Sequence, residues 1–166
     1  MPIPQKDMRL TYSDYLNWDG DERWELIDGF AYAMSPAPTP VHQEISVNLS
    51  FQISAFLRGK PYKPCKPCKL FTAPFDVRLN ADGDDNTVLQ PDLVVVCDPS
   101  KIDDKGCIGT PDLIIEIISP STARRDRIVK LQQYRQILYR GVCRNGRCAH
   151  KRIASCSIDL ADVFAT

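Results

Sequence analysis

Pro111-Asp-Leu-Ile-Ile-Glu-Ile-Ile118 decides the fold, because it sets one carboxylate, Glu116, inside an otherwise unbroken aliphatic run. Such a run reads as a strand of a central sheet, covered on both faces. A near-copy, Pro91-Asp-Leu-Val-Val-Val96, precedes it across a 14-residue polar stretch and reads as a second strand. Nothing around the two recurs, so they are not an internal repeat. Ser119-Pro-Ser-Thr122 stops the later strand and can cap a helix from Ala123 to about Leu138, with Ile128, Leu131 and Tyr134 on one stripe.

Upstream, Thr11 to Trp18 reads as a short helix. Arg23-Trp-Glu-Leu-Ile-Asp-Gly29 and Phe30-Ala-Tyr-Ala-Met34 flank an Asp-Gly pair and predict a hairpin. The Pro-rich Ser35 to Pro40 cannot continue a strand. From Val41 to Leu57, apolar residues at 41, 45, 49, 53, 56 and 57 predict the first substantial helix. After a basic connector, Leu70 to Leu79 alternates and predicts one strand, and Asn80 to Thr87 predicts a turn. Strands interleaved with helices give an α/β class, with helix 41–57 on one side of the sheet and helix 123–138 beside Glu116.

The 166 residues, 43% apolar and 25% charged, suit one globular domain with its own core. No apolar run approaches the roughly 20 residues of a membrane span. The start, Met1-Pro-Ile-Pro-Gln-Lys-Asp7, lacks a secretory pattern, so the expected compartment is cytoplasmic. Formal charge is zero but unevenly spread: residues 1–126 carry a balance of −6, and residues 127–158 hold eight basic side chains and no acid. That end either meets a polyanion or forms a solvated tail. Seven cysteines without a signal sequence suggest reduced thiols or metal ligands, with Cys97 simply buried. A weak zinc pattern joins Cys65 and Cys68 to Cys143, Cys148 and His150.

Glu116 in its apolar strand has to be ion-paired, hydrogen-bonded or metal-bound, since burying it alone costs several kcal/mol. Asp92 opens the neighbouring strand, where it can share an ion with Glu116. Asp112 lies on the same strand as Glu116, about 13 Å away, too far to do so. Two carboxylates without a nearby histidine or thiolate make a hard oxygen site for Mg²⁺ or Mn²⁺, ions that engage phosphate. Asp126 and Lys130, four apart on the following helix, form either a surface ion pair or a route by which the ammonium reaches that site.

Residues 24–136 resemble the Uma-type "putative restriction endonuclease" family, a bacterial branch of the PD-(D/E)xK nuclease superfamily. The resemblance rests on Trp24-Glu-Leu-Ile-Asp-Gly29, Met34-Ser-Pro36 with His42-Gln43, Ala73-Pro-Phe-Asp-Val-Arg-Leu79, Gln90-Pro-Asp-Leu-Val-Val-Val96 and Pro111 to Thr122, followed in order by Asp126, Lys130 and Tyr134. It implies a restriction-endonuclease-like fold, a mixed central β-sheet flanked by α-helices. It also implies a metal-dependent DNA endonuclease in which Asp92 and Glu116 hold Mg²⁺ (or Mn²⁺) and act with Lys130. The superfamily's lysine two positions after the glutamate is Ile118 here, and the resemblance nominates Lys130 in its place. Glu25, in the family's early acidic motif, either assists the metal or makes a hairpin ion pair. His42 either touches nucleic acid or caps its helix, and Asp126 is a third accessory candidate. DNA, held by the basic segments 58–69 and 124–152, is the implied partner, and by analogy the nuclease is a homodimer. The rival reading is an inactive nuclease-like domain that binds nucleic acid or protein. After Gln136 the resemblance ends: residues 1–136 form the nuclease-like domain, and 137–166 an atypical basic, Cys-containing tail, read as a replaced or frame-shifted terminus.

Overall fold

The computed structural model describes residues 9–18, 22–34, 37–58, 68–79, 85–118 and 125–134. The tail 137–166, residues 59–67 of the basic connector and the cysteines at 65, 143 and 148 therefore lie outside the described residues.

The chain opens with α1 (Tyr12–Leu16), whose Thr11 and Asp14 form a reciprocal capping box. Next comes the hairpin of β1 (Trp24–Ile27) and β2 (Phe30–Ala33), with Trp24 opposite Ala33 and Ile27 opposite Phe30. Asp28 and Gly29 make its turn at φ of 51° and 81°, the pair of left-handed residues that a two-residue hairpin requires. Helix α2 (Pro40–Arg58) starts at Thr39, whose hydroxyl oxygen accepts the His42 N–H at 3.3 Å and whose carbonyl accepts that of Gln43.

The expected strand Leu70 to Leu79 is two strands in two sheets: β3 (Lys69–Thr72) and β4 (Val77–Arg78). Alternation persists through the turn between them, so a single period hides the crossing. β5 (Val88–Leu89) follows, then β6 (Leu93–Val96), a 3₁₀ turn at Pro99–Lys101, β7 (Ile102–Asp103), β8 (Gly106–Ile108) and β9 (Leu113–Ile115). The strands β5, β7 and β8 are two or three residues long, too short for alternation to register.

A six-stranded sheet runs β2-β1-β5-β4-β8-β7, mixed because β4 and β8 are parallel, and a three-stranded antiparallel sheet runs β3-β6-β9. The α/β class with a mixed sheet holds, but the aliphatic strands β6 and β9 sit in the smaller sheet. Between the sheets lies a core of Ile27, Val77, Leu79, Leu89 and Cys107 against Val94 and Val96. Leu26 and Val88 face Leu10 and Tyr12, so α1 covers the outer side of the larger sheet. Leu49 and Ile45 of α2 pack with Leu93, Leu70, Ile115 and Ile117 on the outer side of the smaller one. Burying each such side chain contributes roughly 1.5–3 kcal/mol, which is why the aliphatic runs form the middle of the molecule.

Two expectations are corrected. Cys68 is joined to Cys97 by a disulfide, so neither is a free thiol and Cys68 is not available to a zinc set. The register explains it: Lys69 lies opposite Val96, which brings Cys68 and Cys97 face to face one step further on. The helix after β9 begins as a π turn, Arg125–Lys130, and continues over 131–134. Of its expected apolar stripe, only Tyr134 faces the core. Ile128 and Leu131 are exposed, whereas Lys130 and Gln133 are buried, with Val129 and Tyr134 against the core. Buried carboxylates awaiting a countercharge outweigh the burial of two aliphatic side chains.

Candidate active site

Leu93 pairs with Ile115 and Val94 with Ile114 across β6 and β9, so one step beyond the ladder Asp92 stands opposite Glu116. Glu116 lies in phase with Ile114 and therefore points toward the space between the sheets. From the facing sheet β1 contributes Glu25, in phase with the core residue Ile27 and fully buried. Lys130 closes the group. Its Nζ is 2.8 Å from Glu25 Oε1 and 3.0 Å from Glu116 Oε1, with the side chain only 3% exposed. The hydroxyl of Tyr134 donates to the same Glu116 oxygen at 2.7 Å.

Each carboxylate is tied by one oxygen. Asp92 accepts the Ile117 N–H at 2.7 Å and approaches His42 Nε2 at 3.3 Å, both through Oδ2. Glu116 takes Lys130 and Tyr134 through Oε1. Glu25 takes Lys130 and the Gln90 N–H, at 3.0 Å, through Oε1, and its Oε2 is buried without a partner. The Gln90 side chain is anchored separately: Arg23 donates twice to its Oε1, and its amide donates to Tyr15 and Asp76. That network holds the strand segment whose backbone positions Glu25.

Burial pushes the Glu116 carboxyl up to about 7, against the pull of the Lys130 charge and the Tyr134 hydrogen bond, and the charge of Asp92 adds to the rise. Burial alone would draw the Lys130 ammonium down, but Glu116 and Glu25 hold it above its ordinary value. The group is therefore an electrostatically loaded cluster in which burial holds one carboxyl well above the ordinary carboxylate range, at about 7.

Of the residues nominated from sequence, Asp92, Glu116, Lys130, Glu25 and His42 converge. Glu25 makes an ion pair with Lys130, not one within its hairpin. His42 reaches Asp92 with its side chain, while capping of α2 falls to Thr39. Asp126 lies in the π turn, its side chain outside the described residues. Sequence reasoning places Tyr134 on the helix stripe and in the resemblance but assigns it no role; its spacing of four after Lys130 is a further signal. Asp112 behaves as a strand-start residue, accepting the Cys97 N–H at 2.7 Å.

Among the described residues no group of three or more His, Cys, Asp or Glu could by itself hold a metal ion. What remains is a pair of hard oxygen donors, Asp92 and Glu116, whose contacts among the described residues run through Oδ2 and Oε1. That donor set fits Mg²⁺, which binds through one or two carboxylates and otherwise keeps waters or substrate phosphate.

A family model described as "Putative restriction endonuclease", Uma2, matches residues 12–139, the span that contains every residue of this site. The chain belongs to the Uma2 family. The Uma2 match is accompanied by 31% identity over 128 residues to the "Uncharacterized protein slr1290" of Synechocystis sp. (strain ATCC 27184 / PCC 6803 / Kazusa). That alignment covers 76% of this chain, and the chain spans 62% of the relative's length. The crystal structure of a protein from Anabaena variabilis ATCC 29413, described as "a putative nuclease belonging to DUF820", superposes with a TM-score of 0.56 at 19% identity. The superposition covers 77% of this Uma2 chain and 69% of the other. The shared architecture is the restriction-endonuclease-like fold. Among the described residues no helix is long and apolar enough to cross a membrane.

Proposed function

We propose that this Uma2 protein is a Mg²⁺- or Mn²⁺-dependent endonuclease that hydrolyses DNA phosphodiester bonds. The observation that carries the reading is the facing of Asp92 and Glu116 across β6 and β9, while Lys130 sits on Glu116. In this reading Asp92 and Glu116 are the metal ligands. A bound ion would supply positive charge at the scissile phosphate and lower the pKa of water beside it. Lys130, within reach of Glu116, orients the attacking water and offsets negative charge as it grows on the phosphate. Tyr134 holds Glu116 by its Oε1 and so would steady it as a ligand. Glu25 keeps Lys130 charged and aimed; Asp126 is an accessory candidate from sequence alone. Phosphate contacts from the basic segments 58–69 and 124–152 would hold DNA, so affinity should fall steeply with salt. A homodimer would let one assembly reach both strands.

The deciding experiment is nicking of supercoiled plasmid in Mg²⁺, Mn²⁺ and Ca²⁺ by wild type, Asp92→Ala, Glu116→Ala and Lys130→Ala. Wild type should nick and the variants should lose at least about 100-fold. Equal nicking by all four would remove the enzyme assignment. A second reading is favoured by one observation: Lys130 is already engaged by two carboxylates, the arrangement of a structural ion pair. An inactive nuclease-like domain would bind DNA with the same affinity in wild type and Lys130→Ala and cleave with neither.

A further inference from the structure

This chain contains its own control for the role of Asp92. Two Pro-Asp pairs precede two antiparallel partners, β6 and β9, and each aspartate bonds the backbone just beyond the other strand. Asp92 Oδ2 accepts the Ile117 N–H at 2.7 Å, and Asp112 Oδ2 accepts the Cys97 N–H at 2.7 Å. The two clamps are equivalent under the local two-fold relation of an antiparallel pair. A single backbone donor is therefore all that the clamp itself needs. Asp92 differs in a second contact, the His42 ring, whose Nε2 comes from another element to 3.3 Å from the same oxygen.

We propose that His42 is a positioning residue that fixes which oxygen of Asp92 is offered to a divalent cation; this rests on the reading of Asp92 as a cation ligand. The last torsion of an aspartate is broad and two-fold, so a carboxylate held by one hydrogen bond can exchange its oxygens. Contacts from two directions on Oδ2, the Ile117 N–H and the His42 ring, oppose that exchange. The histidine is itself well placed to be rigid. It lies in the first turn of α2, where Thr39 takes its backbone N–H, and its Nδ1 is buried without a partner among the described residues. Partners that orient ligands in this way commonly change metal affinity by about 10- to 100-fold when removed. His42 thus does for Asp92 what Tyr134 does for Glu116: each residue marks one oxygen as occupied.

The test measures Mn²⁺ binding by electron paramagnetic resonance on the full chain, without DNA. The variants are Asp92→Ala, His42→Gln, His42→Asn and Asp112→Asn, with melts in EDTA to verify folding. A glutamine amide reaches as far as Nε2, whereas an asparagine amide falls short of it. Wild type should bind, Asp92→Ala should not, His42→Asn should weaken binding by about 10-fold and His42→Gln should recover to within about threefold. Asp112→Asn should bind as wild type. Should His42→Asn fail to fold, His42→Ala replaces it as the loss variant, and His42→Gln as weak as the loss variant counts against the proposal. If His42→Asn binds as tightly as wild type while Asp92→Ala does not bind, the role of His42 is overturned and the ligand reading stands. If wild type binds no Mn²⁺, or Asp92→Ala binds as wild type does, the ligand reading falls and this inference falls with it.

Discussion

Substituting Glu116→Gln should flatten the pH dependence of stability in the metal-free protein. A carboxyl moved from its ordinary 4.5 to about 7 binds its proton more tightly when folded than when unfolded. The folded state therefore gains from this group below about 4.5 and loses that gain as pH rises through 7. The gap corresponds to about 3 kcal/mol. For a domain of this size that is roughly 6–12 °C in melting temperature. The assay is a series of thermal melts in EDTA from pH 4.5 to 8.5. Wild type should lose stability across that window, and Glu116→Gln, neutral throughout, should lose about 3 kcal/mol less. Burial also raises the Asp76 carboxyl, which slopes in the same direction. The difference between the two proteins, not the wild-type curve alone, therefore isolates Glu116. Parallel curves would refute the claim that burial between the sheets controls this carboxyl.

Lys130→Met leaves Glu25 and Glu116 without their shared countercharge and should cost about 3–5 kcal/mol at pH 8, less at pH 5 where Glu116 can protonate; urea denaturation at both pH values would show it, and a cost below about 1 kcal/mol at pH 8 would contradict the burial of the pair. Asp112→Ala should cost about 1–2 kcal/mol by leaving the Cys97 N–H unbonded, yet leave plasmid nicking intact; loss of nicking in a folded variant would place Asp112 in the site after all. The Cys68–Cys97 disulfide closes a loop with a sequence separation of 29, and reducing it should lower stability by about 3–4 kcal/mol. Urea midpoints with and without a phosphine reductant, with Cys97→Ser as control, would measure that loss, and an unchanged midpoint would count against the bridge. Burial pushes the Cys107 thiol up to about 11, so mass mapping at pH 8 should find it unalkylated until the protein is unfolded.

The main elements and the chemistry at their ends were legible in sequence because they depend on local rules. The Asp28-Gly29 turn set the hairpin and the 3.6-residue period set α2. A carboxylate within the aliphatic run ending at Ile118 announced that Glu116 had to be satisfied by something. The pairing of Asp92 with Glu116 was anticipated too, since adjacent strands bring one's start to the other's end. Local rules failed where the answer depended on a remote partner. The split between β3 and β4 keeps the same alternation on both sides of the turn, and β5, β7 and β8 owe their existence to neighbouring strands rather than to their own two or three residues.

The sequence by itself determined that Glu116 carries charge into an apolar setting and nominated Glu25, Asp92 and Lys130 to meet it. Only the tertiary structure decided how they are matched. It turned the last helix so that Lys130 and Gln133 face inward and Ile128 and Leu131 face out, because the electrostatic cost of two uncompensated carboxylates exceeds the gain from burying two aliphatic side chains. It also brought His42 and Tyr134 onto single oxygens of Asp92 and Glu116, a choice set by how α2 and the last helix pack on the sheets and written in no local pattern.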